Sequence, residues 1–228
     1  VKIDDSLSMQ PTPARAASVD AVLYDFGGVF TVSPFTAAQQ AADELGVDME
    51  LALELCFGPY HEDTDHPWHR LERGEIALEA ARTALIEQAA ARGIEMDPFV
   101  MLARLARPDH QRDEVVARAR AIRAAGVRTA LVTNNIAEFG DAWRAMVPVD
   151  ELFETVIDSC HAGVRKPNPA IFELALDALG VRAEQAAFLD DHPANVAVAR
   201  QLGMAAIVVG DDRLAAFDAL DALLLRHT

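Results

Sequence analysis

The run Val22-Leu23-Tyr24-Asp25-Phe26-Gly27-Gly28-Val29-Phe30 carries apolar residues straight into an aspartate and then two glycines. A strand buried on both faces of a parallel sheet reads as a continuous apolar run of this kind. In α/β folds, ligands bind outside the carboxyl ends of such strands. The glycines let the backbone turn sharply there and approach a ligand closely. A second apolar run, Phe188-Leu189, ends in Asp190-Asp191 far downstream. Three carboxylates at one sheet edge repel each other unless a cation or protons intervene. The pattern points to a metal-assisted site with Asp25 at its centre.

The chain has 228 residues and a formal charge of −16. That length buries one good core, or one core and a small accessory domain. The charge argues against a nucleic-acid partner, which wants a basic stripe, and against anionic membranes. It leaves room for a small anionic substrate, because the local field at a metal site can oppose the global charge. Cys56 and Cys160 form no CxxC pair and no disulfide framework. They are expected to be reduced thiols of a cytoplasmic protein. No apolar stretch is long enough to span a membrane. Residues 1–18 are polar, contain prolines and lack a signal-peptide core, so they are read as a flexible tail. A monomer or a homodimer is expected.

Five short apolar runs have the character of strands: 21–25, 129–133, 155–158, 187–190 and 205–209. Helical patterns at 113–125, 169–179, 193–202 and 213–224 alternate with the later ones. Gly126, Gly180 and Gly203 stand at helix stops, and Pro169 and Pro193 stand at helix starts. This alternation predicts an α/β fold with a doubly wound parallel, Rossmann-like sheet. The gap between the first two strands is too long for a structureless loop. Within it, Leu78, Ala81, Leu85, Ile86 and Ala89 recur at helical spacing, as do Phe99, Leu102 and Leu105. An inserted α-helical cap over residues 34–108 is expected, with the catalytic core formed by 19–33 and 109–228.

Four segments then fall at or near strand ends: Asp25 with its glycines; Thr133-Asn134-Asn135; Arg165-Lys166-Pro167-Asn168-Pro169; and Asp190-Asp191 with Asn195. They supply the parts for phosphoryl transfer through an aspartyl intermediate. A carboxylate attacks phosphorus, and a divalent cation offsets the repulsion between two anions. Hard oxygen donors from Asp25 and Asp190 suit Mg²⁺. Lys166 adds a point charge, and Thr133 with a backbone amide can hold a phosphoryl oxygen. Asn195 is expected to order its loop by bonding backbone.

Taken in order, these segments resemble the haloacid dehalogenase-like hydrolase superfamily across residues 19–33 and about 110–228. Phe188-Leu189-Asp190-Asp191 followed by Asn195, Ala199 and Gly203 is especially similar, as is Lys166-Pro167-Asn168-Pro169-Ala170-Ile171-Phe172. The segment Trp68-His69-Arg70-Leu71-Glu72-Arg73-Gly74-Glu75-Ile76 resembles the helical-cap subgroup. Within that subgroup the N-terminal phosphatase domain of soluble epoxide hydrolases is the nearest match. The resemblance implies Asp25 as nucleophile, with Thr133 and Lys166 as its catalytic partners. It implies Asn134 and Gly28 as substrate-binding positions, and Asp25, Gly27, Asp190 and Asp191 as the Mg²⁺ site. The residue two beyond the nucleophile normally gives its backbone carbonyl to the metal and a carboxylate as general acid–base. Here it is Gly27, which keeps the carbonyl and loses the proton donor, a function typically worth ~10²–10⁴ in rate.

The expected activity is that of a phosphomonoesterase acting on a small phosphorylated metabolite. Dehalogenation of a 2-haloacid through the same Asp25 is the alternative, although it leaves the Asp190–Asp191 pair without a purpose. A weakly catalytic protein binding a phosphorylated ligand or a partner is a third. His192, beside the aspartate pair, is the candidate replacement acid. His61, His66 and His69 around Trp68 are candidates for lining the substrate entrance.

Overall fold

Alternate residues of the first strand face opposite ways, and both sets are apolar. The outcome is a central strand buried on both sides. In this computed structural model, residues 18–34, 39, 42–43, 46, 48–97, 109–140 and 142–225 are described. Strand β1 is Ala21–Tyr24, β2 Arg128–Thr133, β3 Thr155–Asp158, β4 Ala186–Asp190 and β5 Ala205–Val208. They form one five-stranded sheet in the order β3-β2-β1-β4-β5. Every pairing is parallel. Tyr24 lies opposite both Leu131 and Leu189, which places the end of β1 level with the last residues of β2 and β4. The chain winds outward from β1 in one direction and then returns to wind outward in the other, so the carboxyl end of β1 is a switch point of the kind that opens a ligand crevice.

Val22 and Tyr24 pack into one core with Leu131, Leu189, Phe153 and Phe217. Ala21 and Leu23 pack into the other with Val132, Phe172, Leu179 and Phe188. Helices cover both faces, as a parallel sheet requires. The prolines and polar caps read from sequence fall at helix starts. Asn168 accepts from the Ala170 amide just ahead of the helix Pro169–Leu179. The helix Pro193–Gln201 follows β4 directly.

Between β1 and residue 97, three helices have defined bounds, α1 Met49–Phe57, α2 Pro67–Glu72 and α3 Leu78–Ala91. They enclose a third apolar cluster of their own around Phe57, Trp68, Leu71 and Leu85, joined by Ile136 from beyond β2. Ala81, Leu85 and Ala89 give α3 its buried stripe. Ile86, read from sequence as part of that stripe, is instead largely exposed, because it sits one residue round the helix from Leu85. The pattern at Phe99, Leu102 and Leu105 lies outside the described residues, as does nearly all of the expected N-terminal tail.

The insertion presses closely on the helical turn Ser159–Ala162 that follows β3. Gly74, just after α2, has φ +68, and a Cβ there would collide with the main-chain oxygen of Cys160. No side chain fits that contact.

Candidate active site

Asp25 follows β1 immediately, and its amide donates to the Leu189 carbonyl at 2.8 Å, extending the β1–β4 ladder to the site itself. Its Oδ1 accepts from the Phe26 amide at 2.6 Å. Lys166 Nζ lies 2.7 Å from Asp25 Oδ1 and 2.8 Å from Asp190 Oδ2. The lysine therefore bridges two strand-end aspartates, and it is itself only 1% exposed. Burial works against its charge, but the Asp190 and Asp25 carboxylates outweigh burial and raise its pKa.

Asp190 is fully buried and fully engaged. It accepts from the His192 amide at 2.7 Å, from Asn195 Nδ2 at 3.1 and 3.0 Å, and from Lys166. Asn195 thus braces a carboxylate, where the sequence reading had it bonding backbone. The correction has a simple cause: one helical turn into Pro193–Gln201 brings its amide beneath the end of β4. Asp191 is the more open of the pair. It accepts from Ser33 Oγ and rests against Gly28. Gly28 has φ +70, and a Cβ there would fall on the Asp191 carboxylate carbon. Gly28 is needed for close approach as well as for the turn.

Thr133 ends β2, buried at the same edge. Asn134 does something the sequence did not reveal. Its Nδ2 donates to the Lys166 carbonyl at 3.0 Å and its Oδ1 accepts from the Lys166 amide at 2.8 Å. Both ends of its side-chain amide thus clamp the backbone of Lys166. Gly27 has an ordinary φ, and among the described residues a Cβ there would meet nothing closer than Pro34 Cδ at 3.7 Å.

Asp25, Asp190 and Asp191 each place a carboxylate oxygen within 4.8 Å of the others. Burial, with Asp190 and Asp191 adding to it, pushes Asp25 well above the usual carboxylate range, although Lys166 pulls the other way. Burial and Asp190 push Asp191 up to about 7. Three acids face one ammonium, which leaves an excess of acidic groups at the site. A hard divalent cation fits this set of donors.

The histidines divide. His192 precedes its helix and sets its ring 4.9 Å from that of Tyr60 at a tilt of 39°, and burial lowers its pKa. His69 is buried and held through Nδ1 by Thr64, and His66 accepts from the Trp68 amide at the start of α2. Burial lowers their pKa values to about 3 and about 4. Both brace the insertion. Cys56 and Cys160 are free thiols. Among the described residues no helix is long and apolar enough to cross a membrane.

Sequence reading missed Ser33, Tyr60 and Arg165. Ser33 and Tyr60 carry no local signal. Arg165 could have been suspected from its place beside Lys166.

Comparison with known proteins agrees with this geometry. A family model for haloacid dehalogenase-like hydrolases matches residues 19–203. The chain is 31% identical over 222 residues to acyl-CoA dehydrogenase family member 10 of Mus musculus, covering 93% of this chain and 20% of that protein. It is 35% identical over 97 residues to bifunctional epoxide hydrolase 2 of Rattus norvegicus, covering 41% of this chain and 18% of that one. It therefore spans about a fifth of the length of these two relatives. Sesquiterpene phosphatase astK of Aspergillus oryzae is 26% identical over 84% of this chain and 90% of its own length. A solved structure of a predicted HAD-like family hydrolase from Porphyromonas gingivalis superposes with a TM-score of 0.62 at 24% identity, covering 90% of this chain and 98% of that one. The Asp25–Lys166–Asp190 constellation on a β3-β2-β1-β4-β5 sheet, together with a family match across most of the chain, leads to one conclusion: this protein belongs to the haloacid dehalogenase-like hydrolases.

Proposed function

We propose that the protein is a Mg²⁺-dependent phosphomonoesterase acting on a small phosphorylated metabolite through an aspartyl-phosphate on Asp25. The observation that carries this reading is the cluster of Asp25, Asp190 and Asp191 around a single Lys166. Phosphatase names among the relatives support it. A dehalogenase releasing halide has no use for so many buried carboxylates.

Asp25 attacks phosphorus with the carboxylate oxygen not held by Lys166, the bond from phosphorus to the ester oxygen breaks and the departing oxygen takes its proton from solvent, and water then hydrolyses the aspartyl-phosphate to release phosphate and restore Asp25. Lys166 pulls Asp25 toward its ionised form against the effect of burial and offsets charge as the phosphoryl group arrives. Thr133 donates its hydroxyl to a phosphoryl oxygen, a preorganised contact of the kind that stabilises developing charge. Asn134 fixes Lys166 through its backbone, and Asp190 fixes it through its ammonium group. Asp190 spends its oxygens on Lys166, Asn195 and the His192 amide. This leaves the Asp25 and Asp191 carboxylates and the Gly27 carbonyl as the main donors to the cation, with Asp190 closing the set behind them. The cation supplies charge neutralisation and polarises the phosphate oxygens. Gly27 offers no carboxyl to protonate the leaving group, so esters with good leaving groups react best. The helical insertion, expected over residues 34–108, acts as a cap that keeps bulk water from Asp25, which is 8% exposed. A soluble, cytoplasmic monomer or homodimer suits this role.

The test is phosphate release from an activated aryl phosphate, with Mg²⁺, with chelator, and with Asp25→Asn. Turnover that requires both Mg²⁺ and Asp25 supports the proposal. Turnover that persists in chelator, or halide release from a 2-haloacid in its place, overturns it.

A further inference from the structure

Among the described residues, two groups of three metal-ligating side chains come together. One is Asp25, Asp190 and Asp191, which offers oxygen donors alone. The other is Asp158, Cys160 and His161, at the end of β3 and in the short helix Ser159–Ala162 that follows it. The phosphoryl chemistry of Asp25 makes no use of this second group.

The turn itself builds the arrangement. Asp158 caps the helix by accepting from the Cys160 amide at 3.3 Å, and it is 8% exposed. Asn135 Nδ2 donates to its Oδ2 at 3.4 Å, so the carboxylate is held from two sides. Cys160 Sγ lies 3.1 Å from Asp158 Oδ1 and 3.4 Å from His161 Nδ1, and that nitrogen lies 3.7 Å from Asp158 Oδ2. A tetrahedral zinc ion, with bonds of about 2.0–2.3 Å, sets its donors about 3.3–3.7 Å apart. The sulfur, nitrogen and carboxylate are therefore spaced to span one face of such a tetrahedron. A cavity of about 640 Å³ adjoins Asp158 and His161, and the His161 side chain is 78% exposed. Water can reach the fourth position.

The donor types decide which ion fits. Thiolate and imidazole favour zinc-like ions, whereas Mg²⁺ keeps to oxygen ligands. Burial and the Asp158 carboxylate push the Cys160 thiol up to about 12, so the metal-free thiol keeps its proton and donates it to Asp158. An incoming ion displaces that proton to solvent. The thiolate and the carboxylate then balance its two charges.

We propose that Asp158, Cys160 and His161 form a second cation site, one that takes Zn²⁺ in preference to Mg²⁺. The Cys160 carbonyl, on the same turn, is the atom against which Gly74 of the insertion packs. An ion held there stiffens the turn where the insertion meets the core. The site is independent of the phosphatase reading and stands whether or not Asp25 is the nucleophile.

Co²⁺ tests this, because thiolate coordination gives it a near-ultraviolet charge-transfer band that the all-oxygen Asp25 cluster cannot produce. The whole chain is titrated with Co²⁺ in excess Mg²⁺, which occupies the oxygen site. The band is expected in the unaltered protein, in Asp25→Asn and in Cys56→Ser, and Zn²⁺ is expected to abolish it by displacement. Cys160→Ser should lose the band, and His161→Ala should need more Co²⁺ to develop it. In the same excess of Mg²⁺, Zn²⁺ should raise the Tm of the unaltered protein and leave that of Cys160→Ser unchanged. Circular dichroism of the metal-free variants checks that each is folded, and the exposed His161→Ala carries the test should Cys160→Ser fail to fold. No band at saturating Co²⁺, a band that survives Cys160→Ser, or Co²⁺ bound as tightly by His161→Ala as by the unaltered protein overturns the proposal.

Discussion

Arg165 Nε donates to Glu72 Oε2 at 2.7 Å across the seam between the helical insertion and the loop that carries Lys166. Both side chains are buried, at 0% and 3% exposure, and they lie 93 residues apart in sequence. The same guanidinium reaches the Glu62 carbonyl and approaches Asp63, while its Nη2 is buried without a partner. Removing one member of such a pair strands the other charge in the interior. Arg165→Met is expected to cost about 3–5 kcal/mol, read from urea denaturation. Arg165→Met with Glu72→Leu is expected to recover most of that loss, because an apolar pair replaces a buried ion pair at little cost. A double variant as unstable as the single would show that the arginine contributes chiefly through its other contacts.

Gly27 and Gly28 are adjacent and predict opposite outcomes. Gly27→Ala introduces a methyl with no neighbour inside 3.7 Å on a backbone that accepts it, so stability should change by about 0.5 kcal/mol or less. Gly28→Ala forces a Cβ into positive φ and onto Asp191. It should lower stability by more than about 1 kcal/mol and weaken Mg²⁺ binding, measured by calorimetry.

The same free space at Gly27 gives a gain-of-function prediction. Gly27→Asp returns a carboxyl to the position where the family resemblance places the general acid. Turnover of an alkyl phosphate, a poor leaving group, should rise by about tenfold or more. Turnover of an activated aryl phosphate, which needs no protonation, should change little. Equal effects on both esters would show that the new carboxyl acts otherwise than as an acid.

Asp191 carries a pH prediction. Burial and Asp190 raise its pKa from 3.8 to about 7 on folding. Between these values the folded state holds more protons than the unfolded one, so its contribution to stability falls as pH rises through that window. A divalent cation binds the ionised carboxylates, and its stabilisation should grow over the same window. The Tm increase produced by Mg²⁺ is expected to be larger near about pH 8 than near about pH 5. A Tm increase independent of pH would remove Asp191 from the cation site.

The sheet could be read from sequence because its three inner strands are short apolar runs buried on both faces, and because Asp25 and Asp190 interrupt such runs at their carboxyl ends. The chain order of these runs, with helical patterns between them, suffices for a doubly wound topology. Asn134 was harder. Its type and place suggested a ligand contact, whereas its geometry shows a clamp on Lys166, and only the meeting of the β2 and β3 loops reveals it. Arg165 and Glu72 give no local sign of pairing, because nothing in a linear pattern brings 72 beside 165. Ile86 reads as buried by spacing alone and is exposed, since apolar periodicity tolerates a neighbour one step off the face.

The account rests on Asp25 as a nucleophile, and covalent capture tests that most directly. The protein is mixed with a phosphate ester labelled in the phosphoryl group and with Mg²⁺, quenched in acid during turnover, digested and mapped. The expected result is a hydroxylamine-labile phosphoryl label on the peptide containing Asp25, absent from Asp25→Asn. Turnover with no label at Asp25, or an Asp25→Asn variant that still turns over, would contradict the account.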